Sequence, residues 1–326
     1  MNLGAYRIAL ALGISAVCAW APPAIAQPYP AKPIRIVVPF PAGGIADIYA
    51  RIIGNRLTET WVQPIVVENR TGAGGNIAAD LVAKSPPDGY TLVMGSLGTH
   101  AVNVTLFSKL PYDPVRDFAP IAQVLEAESL LVVHPSIPAQ TLQELIAHAR
   151  ANPGKLTFAS AGMGTASHLA GELFKSMAKL EMTHVPYKGN VPAITDLLAG
   201  QTSLIFATMP TVLPHVKAGK LRALATIGAM RSAAAPDLPT VAEAALPGFE
   251  VTNWIGLFAP AGTSTEIVHR LNAEAMRLMQ SPEIQARLLG EGARSAPNTP
   301  EQFAAFVKAE IAKWAPVVRA SGARAD

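Results

Sequence analysis

Residues 37–47 read "VVPFPAGGIAD". Val37 and Val38 close an apolar run, 34–38, with the look of a buried strand. Pro39, Phe40 and Pro41 end it, Ala42, Gly43 and Gly44 turn the chain, and Asp47 lies in the first turn of a helix whose apolar face is Ile48, Ile52, Ile53 and Leu57. The start of a helix leaves backbone N–H groups without intrahelical partners, and its macrodipole attracts anions to them. The turn has no lysine, which a loop built to handle a transferred phosphate would use. It offers bare backbone.

The same unit recurs along the chain. Apolar runs at 65–67, 91–94, 130–133, 156–159, 203–206 and 221–225 read as strands buried on both faces. Between them lie helical patterns such as Leu142, Leu145, Ile146; Leu169, Leu173, Phe174, Met177; and Val191, Ile194, Leu197, Leu198. This alternation predicts α/β architecture with mainly parallel sheets. The tail differs: 265–279, 282–289 and 300–318 read as helices with no strand between them.

Two stretches break the alternation. At 118–133 two apolar runs are joined by Glu126-Ala127-Glu128 instead of a helix, and at 248–260, "GFEVTNWIGLFAP", an extended segment follows a proline-rich one. Two such crossings predict a middle lobe, 126–249, inserted into a lobe made of 27–125 and 250–326. A ligand cleft then lies between the lobes, outside the carboxyl ends of the strands.

The N-terminus sets the compartment. Arg7, the apolar run 8–20 and Ala24-Ile25-Ala26 fit a secretory signal cleaved after Ala26. The run of about 13 residues is short of the roughly 20 needed to span a bilayer. Arg7 is the only charged residue in 1–26, so the mature chain is one unit less positive than the +3 of the whole. That charge is too small for a nucleic-acid footprint, and no block of Lys and Arg occurs. The single cysteine, Cys18, leaves with the signal, removing disulfides, thiolate metal sites and a cysteine nucleophile. No cofactor or metal is expected, and the protein should be monomeric.

Four turns leave strand ends: "PFPAGGIAD", "GSLGTHAVN", "SAGMGTASH" and "PYKGN". Thr99, Ser160, Thr165 and Ser167 are placed to cap helices, to touch a ligand, or to do both. Asp47 either satisfies the start of its helix or accepts a hydrogen bond from a ligand. Residues 162–167 nearly match a dinucleotide loop, but Ser167 stands at the last place and no acidic residue follows at the required strand end. His168 can orient its glycine-rich loop, contact a ligand or simply pack, and His100 has the same options. The other histidines read as surface or packing residues, and none of the seven is at metal-ligand spacing. No G-x-S-x-G elbow is present, and Ser176-Met177-Ala178-Lys179 lies late in a helix without its partner motifs.

Longer stretches carry a family likeness. "YPAKPIRIVVPFPAGGIADIYAR", "VVENRTGAGGNIAADLVAKSPPDGYTL", "FASAGMGTASHLAGELFK", "HVPYKGNVPAITDLLAGQ" and "PTVAEAALPGFEVTNWIGLFAPAGT" together resemble the Bug family of periplasmic solute-binding proteins, receptors of tripartite tricarboxylate transport systems. The resemblance covers essentially the whole mature chain. It implies a two-lobed periplasmic binding protein fold of type II-like form that closes on a small carboxylate and delivers it to a membrane permease, without catalysis. It also implies ligand contacts, largely through backbone amides and water, from Phe40, Pro41, Ala42, Gly43, Gly44 and Asp47, and from Ser160, Ala161, Gly162, Gly164, Thr165 and His168. Thr99, His100, Tyr187 and Lys188 are weaker carry-overs. The family commonly carries an acidic residue near the position of Ala207. If Ala207 faces the cleft, a partner for a ligand ammonium is missing, which favours a dicarboxylate or aromatic carboxylate over an amino acid. Two other functions share these residues: a periplasmic hydrolase using Ser160 or Ser176, and a ligand-sensing partner of a membrane kinase.

Overall fold

The computed structural model describes residues 29–295, 297–321, 324 and 325, with the side chains of 320 and 321 excepted. The expected signal segment lies outside the described residues. Residues 29–31 belong to a separate N-terminal unit, and the following concerns the unit from Lys32 onward.

Strands β1 (Ile34–Val38), β2 (Ile65–Asn69), β3 (Thr91–Ser96) and β4 (Phe118–Ala127) alternate with helices α1 (Ile45–Trp61), α2 (Asn76–Ala83) and the short α3 (Asn103–Leu106). Then come β5 (Ser129–Val133), α4 (Leu142–Ala151), β6 (Thr157–Ser160), α5 (Ala166–Ala178), β7 (Thr183–Pro186), α6 (Asn190–Leu198), β8 (Leu204–Thr208), α7 (Met209–Lys217), β9 (Arg222–Thr226) and α8 (Val241–Ala244). The chain ends with β10 (Asn253–Pro260), α9 (Thr265–Met279), α10 (Pro282–Glu291), β11 (Ala293–Arg294) and α11 (Pro300–Ser321).

Two sheets result, ordered β11-β4-β10-β3-β1-β2 and β7-β6-β8-β5-β9. The two-lobed α/β expectation holds, but the sheets are mixed, not mainly parallel. β1 pairs in parallel with β2 and β3, whereas β10 runs antiparallel to both β3 and β4. In the second sheet β6 is parallel to β7 and β8, while β5 is antiparallel to β8 and β9. The reason lies in the strands at the crossings. β4 passes into β5 through Glu128 alone, and β10 brings the chain back into the first sheet, so neither arrives by a helical crossover that would keep it parallel. The expected absence of strands in the tail also fails at β11, which adds two residues to the edge at β4.

Fully buried side chains on α11, Phe303 and Trp314 among them, pack into one apolar core that also contains Val37, Phe258 and, from the second sheet, Phe158 and Phe206. Buried Glu310 on α11 accepts from both Trp254 Nε1 at 3.0 Å and Trp314 Nε1 at 3.2 Å, so its charge is met by donors on strand and helix together. β2 departs from the reading of a strand buried on both faces: it is an edge strand, and Val66 is 51% exposed.

Candidate functional site

The β1–α1 turn is held by its own acid. Asp47 is 3% exposed. Its Oδ2 accepts from Gly43 N at 2.9 Å, both oxygens accept from Arg51 Nε at 3.1 Å, and Oδ1 accepts from Asn69 Nδ2 at 3.0 Å. Asn69, at the end of β2, also donates to Phe40 O at 2.8 Å. Burial opposes the Asp47 charge, but the hydrogen bonds from Arg51, Gly43 and Asn69 outweigh it and hold the carboxyl below its usual range. Both of its oxygens are thus engaged within the protein. Gly43 lies at φ +82°, a conformation that a side chain would resist, and this lets its N–H turn back onto Asp47.

The turn opens onto a cavity between the lobes. The free space is about 650 Å³ with its mouth included. Phe40, Pro41, Gly44, Ile45 and Ala46 line it from the first lobe, with Ser96 and Gly98 from the end of β3. Opposite are Ala161, Thr165, Ala166 and Ser167, then Asn190 and Val191. Ser129, Asn253 and Ile255 at the crossings, with Phe206 and Thr208 of β8 and Ile227 just after β9, close its floor. The first turns of α1, α5 and α6 therefore all face one space. Each carries a partial positive charge of roughly half a unit on first-turn N–H groups. Among the described residues, none of the lining side chains is charged.

The second-lobe loop is stapled internally. Thr165 Oγ1 donates to Gly162 O at 2.7 Å and caps α5 by accepting from His168 N, while Ala161 N donates to Ser167 Oγ at 2.9 Å. The two jaws touch. A Cβ added to Gly98 would lie 2.9 Å from Gly164 O, and one added to Gly164 would collide with Asn103 Oδ1. Backbone of one lobe thus rests on the other at positions where neither can carry a side chain.

The expected contacts divide accordingly. Phe40, Pro41, Gly44, Ala161 and Thr165 line the cavity; Ala42, Gly43, Asp47, Ser160, Gly162, Gly164 and His168 shape its loops without lining it. Tyr187 and Lys188 border a smaller cleft with Ala161, Phe40 and the glycine turn 72–75. Tyr187 Oη donates to Asp196 at 2.7 Å, and burial followed by that bond pushes its hydroxyl up to about 12.

Three expectations need correction. His100 is fully buried and stacks on Phe258 at 3.8 Å, because the chain after β3 forms a wide π-type turn, Gly98–Val102, that rotates it into the core. Thr99 goes with it, donating or accepting at His100 Nδ1 at 2.9 Å, and it is Ser96 and Gly98 that reach the cavity from this turn. Ala207 packs with Leu130, Ile205 and Leu197 in the core on the far face of β8, and Phe206 and Thr208 face the cavity instead. Ala207 therefore does not bear on ligand preference. Ser160 Oγ lies 2.6 Å from His184 Nε2, the first two members of a hydrolase triad by distance, yet Ser160 is wholly buried and its Oγ accepts from Gly162 N at 3.1 Å.

Sequence reading missed the floor. Ser129, Ile227, Asn253 and Ile255 carry no motif, and only the alternation of β5 and β10 hints that Ser129, Asn253 and Ile255 turn to the cleft.

Residues 49–323 match the family model described as TctC, tripartite tricarboxylate transporter family receptor. The chain belongs to this family. It is 39% identical over 320 residues to protein BugT of Bordetella pertussis, with 98% of each chain covered. Among solved structures it is similar to R. palustris Rpa4515 with adipate, at TM-score 0.88 and 39% identity over 90% of this chain and 98% of that one. It is also similar to MatC (Rpa3494) from Rhodopseudomonas palustris with bound malate, at TM-score 0.85 and 38% identity over 89% and 100%. TctC proteins are receptors, and this chain is a solute-binding receptor, not an enzyme. Among the described residues, no helix is long and apolar enough to cross a membrane.

Proposed function

We propose that the chain is a periplasmic receptor that closes on a small carboxylate, a dicarboxylate or aromatic carboxylate in preference to an amino acid, and hands it to a tripartite membrane permease. One observation carries the reading: three helix N-termini converge on a cavity that, among the described residues, has no charged side chain in its lining. Such a site holds an anion on backbone donors and bridging water. Each helix terminus contributes about 0.3–2 kcal/mol, so the three together favour the ionised form by about 1–6 kcal/mol, from a few-fold to more than a thousandfold. An α-ammonium would meet the positive ends of the same helices, and Asp47, the nearest turn's acid, is already satisfied by Gly43, Arg51 and Asn69. Adipate and malate in the similar structures support the carboxylate class.

In this reading 27–125 plus 250–326 form one lobe and 126–249 the other, hinged near Glu128 and at 250–252. The ligand stabilises the closed state by touching both. Phe40, Pro41, Gly44, Ala161 and Thr165 contact it directly. Mass spectrometry of small molecules released from natively purified protein tests the assignment. A small dicarboxylate or aromatic acid is expected, and a bound amino acid would contradict the preference.

A further inference from the structure

Behind the second-lobe loop lies a pair of histidines that never reaches the cavity. His168, on α5 and 1% exposed, accepts from Gly164 N at Nδ1, 3.2 Å away. A backbone N–H can only donate, so Nδ1 carries no proton and the neutral ring is the Nε2–H tautomer. The ring stacks on His184 of β7 at 4.4 Å, and His184 stacks in turn on Phe158 at 4.7 Å. His184 Nε2 meets Ser160 Oγ, which accepts from Gly162 N. The two rings therefore hold the loop at two of its amides, Gly162 and Gly164.

Gly164 is also where the lobes touch: its carbonyl rests against Gly98 and its Cα against Asn103 Oδ1. That Oδ1 is buried with no hydrogen-bond partner among the described residues, while Asn103 Nδ2 is fixed on Asn76 Oδ1 at 2.6 Å. The first lobe thus presents a rigid seat, and the place of Gly164 against it depends on the second lobe. We infer that His168, backed by His184, is a positioning residue: it sets Gly164 at the point of closure and keeps the first turn of α5 aimed into the cavity, without contacting the ligand. The neutral state fits the role. Burial, then the neighbouring His184 and Lys175, depress His168 to about 3.

The inference rests on the carboxylate reading for its effect on affinity, but not for its effect on the loop. His168→Phe keeps a stacking ring and removes the acceptor, whereas His168→Asn places Oδ1 near the position of Nδ1. Amide hydrogen exchange of 161–165 in ligand-free protein, melting temperature, and titration with adipate, malate and benzoate are compared across wild type and both variants. The expected result is exchange at Gly164 at least tenfold faster in His168→Phe, with carboxylate affinity at least tenfold weaker, and both restored toward wild type by His168→Asn. If His168→Phe does not fold, slow exchange at Gly164 in His168→Asn and fast exchange in His168→Ala carry the same comparison. Unchanged exchange, or loss of affinity equal in Phe and Asn variants, overturns the positioning role. Faster exchange in a protein whose wild type binds none of the three acids supports the positioning of the loop and sinks the carboxylate reading.

Discussion

Gly98 and Gly164 face each other across the cleft so closely that a Cβ on the first would lie 2.9 Å from the carbonyl oxygen of the second. Closure therefore needs bare backbone on the first-lobe side. Gly98→Val should leave each lobe folded, since the clash is with the other lobe, but hold the jaws apart. The expected outcome is a melting temperature of the ligand-free protein close to wild type, carboxylate affinity lower by a factor of ten or more, and no compaction on ligand addition in small-angle scattering. Normal compaction would show that the contact is incidental.

Asp47→Ala removes the acceptor for Gly43, Arg51 and Asn69 at once. Losing charge-assisted hydrogen bonds at a buried site costs about 2 kcal/mol. The folded Asp47 carboxyl is held below the ordinary value of 3.8, so its contribution is present above that pH and is lost as pH falls through 3.8 toward the folded value. Chemical denaturation should therefore show the variant destabilised at pH 7, with the gap to wild type narrowing below about pH 4. A gap independent of pH would assign the loss to packing.

Three histidines are held neutral, His100 and His168 buried and His184 half-buried. Burial holds His100 at about 3; burial and then neighbouring charge hold His168 at about 3 and His184 at about 4. The unfolded chain protonates these rings near their ordinary 6.5, the folded chain far below it, so stability is intact above about pH 6.5 and falls as pH drops toward the folded values. Denaturation midpoints measured from pH 7.5 to 5 should decline, with a slope of proton uptake that shrinks in His100→Gln. A flat profile would contradict the neutral assignment.

Much of this was legible from sequence, for reasons visible in particular residues. The β1–α1 turn announced itself because Val37 and Val38, the prolines, Gly43-Gly44 and the helical spacing after Asp47 all point the same way, and local chemistry decides a turn. His100 misled because it follows a strand just as those residues do, and nothing local distinguishes a tight turn from the π-type turn that sends it onto Phe258. Ala207 misled through period two: one residue along β8 separates the core face from Phe206 and Thr208 at the cavity. The mixed pairing of β5 and β10 is set by long-range register, which short apolar runs do not encode.

The corrected place of Ala207 has its own consequence. An acid there would be buried among Leu130, Ile205 and Leu197. Ala207→Asp should therefore destabilise the protein by several kcal/mol and leave ligand preference in the surviving folded fraction unchanged. A stable variant that gains aspartate or glutamate binding would restore Ala207 to the site.

The central claim is that a cavity without a charged side chain selects a carboxylate through backbone amides at three helix N-termini. Calorimetric titration with adipate and with adipamide, its neutral diamide of nearly the same shape, tests it most directly. The account predicts that adipate binds and that the diamide binds at least a hundredfold more weakly or not at all. Equal binding of the two, or binding of the diamide alone, would contradict it.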